Sequence, residues 1–82
     1  MNLYLIEQPH DAIDDRWSHF DGAVVIASDE ERARRIYPDE FGAWDGPDHL
    51  WCAPEQVRVT FLAACASSDV KEGVVLASFQ TR

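Results

Sequence analysis

Carboxylates are the reactive groups in greatest supply: 15 Asp and Glu stand against 7 Lys and Arg, a net charge of −8. Three kinds of chemistry could use them: proton transfer, metal binding, or the display of negative charge. Proton transfer by paired carboxylates needs both groups desolvated at a fixed separation. Asp14-Asp15 and Asp45…Asp48 fall in the most polar part of the chain and read as solvated. His10, His19 and His49 each lie beside an acid, but none has a second ligand at i,i+4 on a helix. Neighbours in a loop seldom chelate together, so neither a metal nor any other cofactor is expected. Ser67-Ser68, Cys52 and Cys65 carry no nucleophile signature, and no Gly-rich phosphate loop is present. The expectation is a protein that binds and does not catalyse.

Display of charge remains, and here placement matters more than amount. Residues 1–50 hold twelve acids and four arginines, the whole of the −8. Residues 51–82 hold three acids and three basic residues and are neutral. No basic stripe exists to follow a nucleic-acid backbone, so direct nucleic-acid binding is disfavoured. An acidic surface keeps a small protein soluble, and it also suits a basic partner. Asp11, Asp14, Asp15, Asp21, Asp39, Glu40, Asp45 and Asp48 are the candidate partner-binding acids. They interleave with aromatics, as in Asp14-Asp15-Arg16-Trp17, Phe20-Asp21, Glu40-Phe41 and Trp44-Asp45. Carboxylates so placed can stand for phosphates, whereas most of the rings read as core.

The elements that position these groups centre on Asp21 to Pro38. Ala23 to Ala27 is an unbroken apolar run with β-branched side chains, which reads as a buried strand covered on both faces. Ser28 with Glu31 three residues later has capping-box spacing, predicting a helix that starts there. Asp29, Glu30 and Glu31 in its first turn and Arg32, Arg34 and Arg35 in its last match the helix dipole. Ala33, Ile36 and Tyr37 share one face, and Pro38 ends the helix.

Before this stretch, Asn2 to Ile6 reads as a central strand apolar on both faces. Glu7 to Asp21 reads as a first acidic loop in which Ile13 and Trp17 admit a short helical turn over Ala12 to Ser18. After it, Asp39 to Leu50 is a second acidic loop with turn chemistry at Asp45-Gly46-Pro47. Trp51-Cys52-Ala53 is a short extended piece before a turn at Pro54-Glu55. Val57 to Cys65 alternates, with Val57, Val59, Phe61, Ala63 and Cys65 on one side and Arg58 and Thr60 on the other, as an edge strand would. Gly73 opens a last strand, Val74 to Phe79, expected to pair with Val57–Cys65 as a hairpin.

The order β-β-α-β-β predicts one compact α+β domain over residues 1–82, a four-stranded antiparallel sheet with one short helix. One helix cannot cover such a sheet, so Trp17, Phe20, Phe41, Trp44, Leu50 and Trp51, supplied by two ordered acidic loops, should complete the cover. An extended path of ~3.3 Å per residue keeps Cys52 more than about 20 Å from Cys65, so both are expected as free thiols. The longest apolar run is about five residues against the ~20 a spanning helix needs. MNLYLIEQP lacks a basic segment and meets Glu7 early, so a cytoplasmic location is expected.

Leu3-Tyr4-Leu5, the Ala23–Ala27 strand, Asp29-Glu30-Glu31 with Ala33-Arg34-Arg35 and Tyr37-Pro38, Trp51-Cys52 with Pro54-Glu55, and Gly73 to Phe79 together resemble a group of short phage and prophage proteins of unassigned activity. Small acidic phage proteins of this kind include anti-CRISPR inhibitors. That resemblance implies an inhibitor, monomeric or weakly dimeric, whose acidic face mimics DNA and blocks a basic, nucleic-acid-binding surface of a CRISPR effector. A type I effector subunit is the implied partner, with no membrane contact. The alternative is a phage accessory or structural protein that assembles through its sheet edge or acidic face.

Overall fold

The apolar runs become four strands: β1 (Asn2–Glu7), β2 (His19–Ala27), β3 (Arg58–Ala64) and β4 (Gly73–Gln80). The computed structural model describes residues 1–13, 18–38, 51–67 and 69–80. All the pairings are antiparallel, and the sheet order is β3-β1-β2-β4, so β1 and β2 are central and β3 and β4 form the edges. One short helix, α1 (Glu30–Arg34), packs on the sheet, which gives the small α+β fold expected. Among the described residues no helix is long and apolar enough to cross a membrane.

The expected hairpin between the last two strands does not form. β3 pairs with β1 and β4 with β2, at opposite edges of the sheet. The connection from Cys65 to Glu72 is long enough to pass the ends of both central strands, so adjacency in sequence does not impose adjacency in the sheet. Between β2 and β3 the chain also crosses over, because β1 lies between them. That crossover carries α1 onto one face.

β2 is longer than its apolar run. Phe20 and Asp21, expected in a loop, lie within the strand, where Phe20 opposes Phe79 on β4. The two rings stand 4.8 Å apart, which rewards extension of the pairing beyond Ala23. Gly22 permits a close approach here: a Cβ on it would lie 2.7 Å from the Ile6 carbonyl oxygen. Among the described residues of this region a 3₁₀ turn forms at His10–Ala12, ahead of the turn expected over Ala12 to Ser18, and the middle of that expected span lies outside the described residues.

The helix begins one residue later than its sequence spacing suggests. Asp29, in an extended conformation (φ −154°, ψ 175°), is the N-cap, and its Oδ1 accepts the Arg32 N–H at 2.8 Å. Ser28 is exposed and Asp29 takes the cap position, so the predicted Ser28/Glu31 capping box does not form. The helix also ends early. The Arg35 and Ile36 N–H groups bond to the carbonyls three residues back, a tightened last turn, before Pro38 can act. Ile36 and Tyr37 still pack on the core from beyond the helix.

That core lies on one face. Tyr4 and Ile6 oppose Val25 and Ala23 across β1 and β2, and with Ala27 they are buried beneath Ala33, Trp51, Cys52 and Val57. Phe20 packs against the same cluster, so two of the aromatics expected as cover, Phe20 and Trp51, serve as such. Trp17, Phe41, Trp44 and Leu50 lie outside the described residues. On the other face Leu3, Leu5, Val24 and Ile26 are only half-buried, which corrects the expectation of a strand fully covered on both sides. β3 is the expected edge, but its alternation breaks at a bulge that sets Leu62 between the partners of Leu3 and Tyr4, and Phe61 is 57% exposed.

Candidate interaction surface

The acidic groups converge at the end of the sheet where β1 closes and β2 opens. Glu7 is the last residue of β1, opposite Gly22 on one side and Arg58 on the other. Asp11 lies in the 3₁₀ turn that follows, and Asp21 on β2 returns beside them. Together with His10, Ile13 and Arg58 they line an open cleft of about 510 Å³. Two buried polar side chains of this region are already engaged. Gln8 is buried, and its Nε2 donates to the Phe20 carbonyl oxygen at 2.5 Å; its backbone N–H reaches the Asp21 carbonyl oxygen at 3.4 Å. The His19 ring is buried, with Nε2 3.2 Å from Asp21 Oδ1.

Of the eight acids proposed for partner binding, Asp11 and Asp21 are therefore brought to one cleft. Asp14, Asp15, Asp39, Glu40, Asp45 and Asp48 lie outside the described residues. Two cleft residues escaped the sequence reading: Glu7, counted as a loop acid but not as a site residue, and Arg58, counted only as the wet side of a strand. The strand register brings them together, and no local spacing encodes that. The cleft presents three carboxylates along its lining, with Arg58 offsetting part of their charge.

Cys52 and Cys65 are free thiols, and burial pushes the Cys52 thiol up, which disfavours the nucleophilic thiolate. No three metal-ligating side chains among the described residues come together. Arg34 reaches the Pro54 and Val57 carbonyl oxygens and so ties α1 to the approach of β3. Arg35 pairs with Glu31 at 3.2 Å along the helix.

A second surface went unforeseen. On the open face, Leu5, Val24 and Leu76 flank Gly22 to form an apolar groove of about 300 Å³, with Glu7, Asp21 and Ser78 at its rim. It runs out to the β4 edge, where Leu76 is 69%, Val75 57% and Phe79 45% exposed. The chain matches no protein-family model, no curated protein and no solved structure.

Proposed function

We propose that this protein is a non-enzymatic inhibitor whose acidic surface occupies a basic, nucleic-acid-binding face of another protein. The observation that carries the reading is the meeting of Glu7, Asp11 and Asp21 at one cleft, in the half of the chain that holds the entire charge excess. Glu7 and Asp21 lie on paired strands and are pre-positioned, so a cationic side chain meets them without first ordering a loop. The resemblance to small acidic phage inhibitors makes a CRISPR effector of the type I class the partner to test first. In this reading the carboxylates take the place of target-DNA phosphates.

The test is competition between this protein and target DNA for the purified effector. Binding should weaken as salt rises, since exposed charges are screened beyond ~8 Å at physiological ionic strength. Reversing Asp11 and Asp21 to Lys, and separately Asp14, Asp15, Asp45 and Asp48, should slow association before it speeds dissociation. Simultaneous binding of protein and DNA at full affinity would exclude the mechanism. So would inhibition that survives every charge reversal.

A further inference from the structure

We propose that the free edge of β4 pairs with the β4 of a second copy of this chain, antiparallel about a two-fold axis, to join two four-stranded sheets into one. This goes beyond the acidic-surface reading and does not depend on it. β4 hydrogen-bonds to β2 on one side, and no described strand meets its other side. Every second residue there directs its N–H and C=O outward, a template for another strand.

Edge strands in stable monomers are guarded by Lys, Pro, inward charges or bulges. The two edges of this sheet differ in that respect. β3 begins with a charged residue, Arg58, and its bulge at Leu62 lies in the middle of the strand. β4, GVVLASFQ, contains neither charge nor proline. Its own bulge, at Val75, falls near its start, where Val24 opposes Leu76 and Val25 opposes Val74. From Leu76 to Gln80 the strand runs without an extra residue of its own.

Charge selects a second copy as the occupant. Two molecules of net charge −8 repel unless they meet through a neutral region, and residues 51–82 carry no net charge. An antiparallel two-fold contact pairs residue i of one copy with residue j of the other and j with i, so a charged strand would face its own charges, whereas an uncharged one does not. The exposed Leu76, Val75 and Phe79 would lose water on pairing. A single paired edge falls at the low end of the ~1,200–2,000 Å² of specific interfaces, so the dimer should dissociate on dilution.

Sedimentation equilibrium of the intact chain from micromolar to millimolar concentration should show a monomer–dimer transition little affected by salt. In the dimer, outward-facing amides of residues 76–80 should gain hydrogen-exchange protection, while alternate amides bonded to β2 stay protected at every concentration. Leu76→Lys with Ser78→Lys, both at exposed positions, should leave a folded monomer, and Phe61→Lys on the opposite edge should dimerise like the parent. A monomer throughout would overturn the proposal. So would a dimer whose β4 amides do not change, one that survives the paired lysines, or one lost in Phe61→Lys. Failure of the acidic-surface reading would show instead in the salt-dependent competition assay.

Discussion

On one face of the sheet, Ile6 and Val25 lie fully buried in the cluster that Ala33 and Trp51 complete; on the other, their neighbours Leu5 and Val24 are half-buried beside an open groove. The four side chains are alike in size and apolarity, and they alternate along the same two strands. What separates them is the crossover between β2 and β3, which delivers α1 and Trp51 to one side only. The comparison teaches that composition made both faces fit for burial, and chain connectivity decided which received it.

The sharpest way to break this comparison is to truncate matched side chains on the two faces. Ile6→Ala should cost about 2–5 kcal/mol, since it removes a fully buried side chain and leaves a cavity. Leu76→Ala, at an exposed position on the open side, should stay within about 0.5 kcal/mol in dilute solution. Equal losses by denaturant titration would mean that the open face is packed in solution.

Gly22 joins the faces, because it lies on the open groove while β1 crowds it. Its missing side chain allows the close pass of the Ile6 carbonyl, and a Cβ at 2.7 Å would force the two central strands apart. Gly22→Ala should cost about 1–3 kcal/mol, the range for overpacking. An unchanged midpoint would mean that β1 and β2 separate at this point without penalty.

Much of the architecture was legible before any coordinates, and the failures have physical causes. The four strands and the helix follow from local apolar runs and charge placement, which act within a few residues. Strand order does not, because Cys65 to Glu72 is equally able to turn back or to cross the sheet. Phe20 and Asp21 joined β2 for a partner almost 60 residues away, Phe79, that no local pattern announces. The same holds for the cleft: Asp11 and Asp21 were identifiable as acids, but their meeting with Glu7 and Arg58 depends on register. The cap is the closest case. Ser28 and Asp29 are adjacent and both competent, and the tie goes to Asp29, whose extended backbone sets Oδ1 against the Arg32 N–H.

That tie-break is directly measurable on the covered side of the molecule. Asp29→Ala should cost about 0.5–2 kcal/mol through loss of the bond to the Arg32 N–H. Ser28→Ala should be near neutral, since its exposed hydroxyl does not cap the helix. The reverse ranking by thermal melts would restore Ser28 as the cap.

The smallest effect should come from the clamp that ties α1 to the β3–β4 connection. Arg32 donates to both Glu72 oxygens, Nε to Oε1 at 2.7 Å and Nη2 to Oε2 at 2.8 Å. The Arg32 hydrogen bond holds the Glu72 carboxyl below the usual carboxylate range, with the guanidinium charge and the Ser28 N–H acting the same way and slight burial opposing. A carboxyl whose folded value lies below its unfolded one contributes stability above the unfolded value, about 4.3 for Glu. That contribution is lost as pH falls through the folded value. The melting temperature of the parent should therefore exceed that of Glu72→Gln modestly at neutral pH, with the gap closing below about pH 4.3. Added salt should narrow the gap, because the pair is largely solvent-exposed. A gap that persists unchanged at acid pH would show that Glu72 acts through packing or neutral hydrogen bonds and not as the carboxylate of an ion pair.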